Sequence, residues 1–256
     1  GFGADLGAEK FLDIKCQMAN LKPNAVVIVA TIRALKLHGG VLFDDLGKEN
    51  VDALISGVDN LEKHIESVQS FGLPYVVAIN RFPSDTDQEI KALELWCSDN
   101  NHPMALSTVF MDGSAGGLDL GKKVLDAIEK QNNYHPLYLP TDEFMMKVET
   151  IAAKMYGAKE VVLTEEAQRQ LENIVSKGWD KLHICMAKTP NSLTDNQKIL
   201  NRPKGFTITI RELRVSLGAG FIVCLTGSVL TMPGLPKVPA AMNIDIDDYG
   251  NISGLS

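Results

Sequence analysis

Residues 76–86, VVAINRFPSDT, constrain the fold more than any other stretch. Val76 to Asn80 reads as a strand covered on both faces. The chain then breaks into Arg81, Phe82, Pro83, Ser84 and Asp85. Proline fixes φ and removes a backbone donor, so the strand stops there. A buried strand ending in an aromatic–proline corner suits an open parallel sheet, whose ligands bind outside the carboxyl ends of its strands. A second such arrangement follows one βα unit later in MALSTVFMDG (104–113), which carries Phe110. Two rings on adjacent strand tips could clamp a flat heterocycle.

Apolar runs alternate with helical patterns through the first half. AVVIVA (25–30) is a continuous apolar run. Residues 50–70 place Val51, Leu54, Ile55, Val58, Leu61, Ile65 and Val68 at helical spacing. Residues 87–97 form a short helix with Ile90, Leu93 and Leu95 on its apolar side, and 118–130 form another after the Gly116-Gly117 turn. The right-handed crossover rule turns this order into one parallel sheet, with strands at 25–32, 75–80 and 104–109 and both phenylalanines at one end.

The pattern changes near residue 132. Residues 132–140 read as a polar, proline-bearing linker, and 141–156 as a helix with Thr141 or Asp142 as its N-cap. Strands are expected at 160–163, 183–187, 206–216 and within 220–230, and a helix at 165–177. TITIREL alternates, so one face of that strand is solvated. The proline-rich tail from Thr231 reads as a loop. The expected organisation is α/β: a parallel domain over 1–131 and a smaller α/β lobe over 132–256.

The net charge of −7 gives no support to a nucleic-acid role, and no apolar stretch reaches the length of a membrane span. The four cysteines form no CxxC pair, which fits buried thiols and a reducing, cytoplasmic compartment. The opening GFGADLGAEKF has no methionine and no signal-like segment, and is expected to be the interior of a longer protein, as a fragment, a processed product or one half.

Chemistry-bearing motifs each have a plain alternative. GxxxxGK[ST] is absent from the sequence. GFGADLG could offer backbone N–H groups to an anion, or be a plain turn whose Asp5 and Glu9 cap or solvate a helix start. Arg33, Lys36 and His38 sit near an expected strand tip, either facing a ligand or lining a solvated loop. Gly39-Gly40 favours close approach of a ligand or another backbone. Lys188 to Ser192, Arg211 and Arg214 could bind carboxylate or phosphate, or make surface salt links. No His/Cys/carboxylate set has zinc spacing, and no GxSxG elbow occurs. For Phe82 and Phe110 the alternative is that both simply cover the sheet end. A ring held between them needs roughly 7 Å, twice a contact distance of about 3.5 Å.

Taken together, GFGADLGAEKF, VIVATIRALKLHGG, NLEKHI, VVAINRFPSDT, SAGGLDLGKKV, ICMAKTPNSLTD, FTITIRELRVSLGAGFIV and TMPGLPKVPAAMNIDID resemble formate–tetrahydrofolate ligase (10-formyltetrahydrofolate synthetase) nearly end to end. The resemblance implies a P-loop-NTPase-like core continued from a missing N-terminal part, with the P-loop upstream of Gly1. It implies formation of 10-formyltetrahydrofolate from formate, tetrahydrofolate and ATP by way of formyl phosphate, with Mg2+ on ATP, room for a monovalent cation, and a homo-oligomer. By motif position, Phe82 and Phe110 stack on the folate pterin, with Pro83 and Leu106 beside them. Gly1, Gly3, Asp5 and Gly7 lie near nucleotide and formyl phosphate. Phe110 stands where the family usually has tryptophan, and the GLS ending replaces the common GLF. The catalytic residues are not assigned. Two other readings stay open: a truncated, non-catalytic paralogue that binds folate or a full-length subunit, and an unrelated α/β nucleotide-binding module.

Overall fold

The computed structural model describes residues 3–227 and 237–254. It is α/β. The chain opens with two π-helical turns, Gly3–Ala8 and Phe11–Cys16, which run into the single turn α1 (Gln17–Ala19). The first sheet contains β1 (Val26–Ala30), β2 (Tyr75–Asn80) and β3 (Met104–Ser107) in that order, all parallel. Val77 pairs with Ile28 on one side and Met104 on the other, so β2 is the central strand.

The first strand ends earlier than the apolar run suggests. Thr31 turns extended and its Oγ1 accepts the Ala34 N–H at 3.2 Å, capping α2 (Ile32–His38). Arg33, Lys36 and His38 therefore ride on a helix and not on a strand tip or a solvated loop. Gly39 follows that helix as its C-cap, and only glycine fits there: a Cβ would lie 1.8 Å from the Ala53 carbonyl oxygen. That carbonyl belongs to α3 (Val51–Gln69), capped by Asn50.

Helix α4 (Asp87–Asp99) buries Ile90, Leu93 and Cys97, while Leu95 is 61% exposed, against the expectation that it joins the apolar side. One turn of helix separates neighbours three or four apart, so Leu95 points away from that stripe. β3 stops at Ser107, short of 109. Residues beyond it wind into α5 (Val109–Asp112), a tight Gly113–Gly117 turn and α6 (Leu118–Ile128).

The expected linker is a docked strap. Tyr134 Oη donates to the Leu12 carbonyl at 2.7 Å, the Leu137 N–H donates to Asp13 Oδ1 at 2.7 Å, and Tyr138, 3% exposed, accepts the Ile184 N–H at 2.9 Å. Helix α7 begins at Phe144 (Phe144–Ile151), with Glu143 and not Thr141 or Asp142 at the N-cap. Asp142 instead accepts the Leu139 N–H at 2.8 Å in the preceding turn.

The second sheet holds β4 (Glu160–Leu163), β5 (His183–Ala187), β6 (Thr207–Ser216) and β7 (Phe221–Thr226) in the order β4-β6-β7-β5. α8 (Glu165–Ser176) connects β4 onward. Only the β6–β7 pair is antiparallel. The alternation in β6 survives a bulge between Ile210 and Glu212, so Ile208, Ile210 and Leu213 are buried while Arg211 and Arg214 are exposed. The part of the tail that is described departs from a plain loop: β8 (Asp245–Ile246) and β9 (Ile252–Ser253) pair as an antiparallel ribbon. Residues 231–236 lie outside the described residues. One contiguous core joins both sheets, running from Ile65, Val77 and Ile79 through Val148, Ile151 and Met155 to Ile184, Ile208 and Ile222. No helix among the described residues is long and apolar enough to cross a membrane.

Candidate functional site

Two parallel strand ends, β2 and β3, bring Phe82 and Phe110 together. Their ring centroids lie 6.2 Å apart with the planes inclined at 37°. That distance is within the range of aromatic pairs and under an ångström short of the roughly 7 Å a sandwiched ring requires. A heterocycle entering between them must part the rings slightly and bring the planes parallel. Phe110 is 72% exposed and Phe82 half-buried, so Phe82 is the fixed jaw. Phe110 sits on α5 and not on the strand itself. Its approach depends on Gly116, where a Cβ would lie 2.4 Å from Thr108 Oγ1, and on the Thr108 N–H bonded to the Gly116 carbonyl at 3.1 Å.

Leu106 pairs with Ile79 one residue before the end of each strand and is half-buried, while Pro83 is exposed beside the Phe82 ring. The corner is held from below. Asp85 Oδ2 accepts the Phe82 N–H at 2.7 Å, and the Asp85 N–H returns to the Phe82 carbonyl at 3.0 Å. Thr86 and Glu89 then form a capping box at the start of α4. Glu89 also accepts the Asn50 N–H at 2.9 Å and lies 2.8 Å from Lys36 Nζ, with neither charged side chain more than 1% exposed. Burial opposes the Glu89 charge, but hydrogen bonds from Lys36, Asn50 and Thr86 outweigh it and hold the carboxyl below its ordinary value. The S/T-x-x-E pattern at Thr86–Glu89 and the Asp three residues after Phe82 are sequence signals for the corner itself; the Lys36 and Asn50 contacts beneath it have none.

The glycine-rich start is a different place. Gly3 and Gly7 line a cavity of about 690 Å³ with Phe11, His38, Asn60 and His64, along β1. From Gly3 to Ala8 the segment is wound into helix, and Asp5 and Glu9 neither cap nor solvate it: both are buried. Asp5 pairs with Lys188 Nζ at 3.0 Å, so the Lys188 ammonium is committed within the protein. That ammonium also donates to the Thr189 and Ser192 carbonyls and lies 5.0 Å over the Tyr156 ring. Burial pushes Glu9 up to about 7 and Asp13 up to about 8, and pulls His38 down to about 4. Gly1 lies outside the described residues. Among the described residues no cluster of His, Cys, Asp and Glu is placed to hold a metal ion.

The aromatic pair lies beyond the carboxyl ends of parallel strands, where open α/β sheets place their ligands. The formate–tetrahydrofolate ligase family model matches residues 1–256, the whole chain. The chain belongs to that family of ligases, whose substrates are formate, tetrahydrofolate and ATP.

Proposed function

We propose that this chain is the tetrahydrofolate-binding and scaffold part of an ATP-dependent ligase that makes 10-formyltetrahydrofolate by way of formyl phosphate. The observation that carries the reading is the Phe82–Phe110 pair, with ring centroids 6.2 Å apart just beyond the ends of the adjacent parallel strands β2 and β3. Phe82 and Phe110 take the two faces of the pterin, Pro83 stiffens the corner, and Leu106 walls the pocket behind it. In this reading Gly3 and Gly7, which line the cavity along β1, belong to the nucleotide and formyl phosphate side, with Asp5 buried behind them against Lys188. A folate nitrogen attacks the formyl carbon, the C–N bond forms as the C–O bond to phosphate breaks, and the nitrogen's proton passes to the departing phosphate or to water. The protein supplies orientation and neutralisation of anions. Mg2+ enters on the ATP phosphates.

The reading includes a P-loop-NTPase-like sheet completed by an N-terminal part of the same protein. In support, no strand among the described residues pairs with the outer edge of β1, that edge carries no charge, proline or bulge to guard it, and Val27 and Val29 are 40% and 62% exposed. Free thiols at Cys16, Cys97, Cys185 and Cys224 suit a cytoplasmic setting. Because these 256 residues hold no Walker lysine, they alone should make no formyl phosphate from ATP and formate. The test of the folate site is calorimetric titration of the full-length protein with tetrahydrofolate. Removing both rings, in Phe82→Ala/Phe110→Ala, should abolish measurable binding while ATP still binds. Unchanged folate binding in that variant would refute the reading.

A further inference from the structure

We propose that Asp85 is the positioning residue of the aromatic pair, holding the Phe82 ring where it can stack and so setting affinity for the flat substrate. The inference rests on the tetrahydrofolate reading of that pair.

Phe82, Pro83, Ser84 and Asp85 form a turn closed in both directions. The Asp85 N–H donates to the Phe82 carbonyl at 3.0 Å, and the Asp85 carboxylate accepts the Phe82 N–H at 2.7 Å. The first bond is an ordinary turn bond and survives any side-chain change. The second fixes the backbone at Phe82, and through it the direction of the ring. Pro83 has no N–H to offer an alternative bond and restricts the residue before it.

Asp85 is poorly suited to stabilising the turn for its own sake. Its side chain is 4% exposed, and Oδ1 is buried with no hydrogen-bond partner. Leaving a buried acceptor unmade is unfavourable, and the Glu89 carboxylate nearby adds like charge. What the carboxylate does provide is a rigid link between the Phe82 N–H and the floor below. Thr86 follows it directly, and Glu89 ties that floor to Lys36 and Asn50. Phe110 is largely exposed on a short helix held by backbone bonds at Thr108 and Gly116, and among the described residues no side chain fixes its N–H as Asp85 fixes that of Phe82.

The test is steady-state kinetics and thermal melts of the full-length protein carrying Asp85→Ala, Asp85→Asn, Asp85→Glu or Phe82→Ala. Asp85→Ala should raise KM for tetrahydrofolate roughly 3- to 10-fold, the range of one lost hydrogen bond, with kcat and KM for ATP within about twofold. Asp85→Asn keeps an oxygen for the Phe82 N–H and should restore the wild-type KM. Asp85→Glu keeps the charge but displaces it by one methylene. It should raise KM for tetrahydrofolate as alanine does, and it decides the matter if the alanine variant does not fold. A wild-type tetrahydrofolate KM in Asp85→Ala or Asp85→Glu would overturn the proposal. So would an equal loss for every substrate, or an Asp85→Asn variant as weak as alanine. If Phe82→Ala itself leaves the folate KM unchanged, the clamp reading fails. If Phe82→Ala weakens folate while the Asp85 variants do not, only the role of Asp85 fails.

Discussion

Lys36 Nζ lies 2.8 Å from Glu89 Oε1, and this buried ion pair joins the helix after β1 to the helix after β2. Lys36 also donates to the Lys48 carbonyl at 2.8 Å, and Glu89 accepts two backbone N–H groups, from Asn50 and Thr86. Neither charge has spare capacity facing water. The pair therefore fixes the platform on which the Phe82 corner stands.

Breaking that pair from one side should be costly. Glu89→Ala strands a buried ammonium and two backbone donors, and should lower unfolding free energy by about 3–5 kcal/mol. Replacing both partners with apolar residues of similar volume should cost much less. Urea denaturation of the single and double variants measures both. The Glu89 carboxyl is held below its ordinary value, so its contribution is full above that value and is lost as pH falls from it through the lower value of the folded state.

Gly39→Ala tests the contact between α2 and α3. With a Cβ only 1.8 Å from the Ala53 carbonyl oxygen, one helix must move. Overpacking of this kind costs about 1–3 kcal/mol or more. A thermal melt should show a clear drop in Tm for Gly39→Ala and almost none for Gly47→Ala, where a Cβ meets open space.

The strap and the N-terminal helix should make stability pH-dependent in an unusual direction. Burial raises Glu9 to about 7 and Asp13 to about 8, so the folded protein binds protons that the unfolded chain has already lost. Stability from these groups is full at low pH and falls as pH rises toward about 8. His38, lowered to about 4 by burial, acts oppositely: its penalty grows as pH falls below 6.5. Lys147 is lowered to about 8, so stability recovers as pH rises above that value. Denaturation midpoints should therefore decline between about pH 6.5 and 8. Asp13→Asn should flatten the decline, and a midpoint that instead rises through that window in the wild type would contradict the assignment.

The strands of the first sheet were legible because a parallel sheet covered by helices needs continuous apolar runs, and AVVIVA and YVVAIN are such runs. Their ends were less legible. Thr31 and Thr108 look like strand residues by type, but the first caps α2 with its hydroxyl and the second begins the turn that carries Phe110. Residues 132–140 connect α6 to α7 without helix or strand, as composition suggests, but composition gave no sign that Tyr134 and Tyr138 anchor them through single hydroxyls. Spacing put Phe82 and Phe110 at one end of the sheet but left open whether the rings meet or only cover it. The floor beneath them was not legible, because Lys36 and Glu89 are 53 residues apart in sequence and only tertiary packing joins them. Asp5 and Lys188 pose the same difficulty at greater separation.

The most direct measurement is a tetrahydrofolate titration of the full-length protein, its Phe82→Ala variant and its Phe110→Trp variant, each checked by a melting curve. Stacking on one aromatic ring is worth about 1–3 kcal/mol for nucleobases, which resemble the pterin in shape. Loss of the Phe82 ring should raise Kd for tetrahydrofolate by roughly 5- to 150-fold, with ATP affinity nearly unchanged. Phe110→Trp, with a larger stacking face, should bind at least as tightly as wild type. Equal folate affinity in the wild type and Phe82→Ala would mean that Phe82 only covers the sheet end, and would contradict the account.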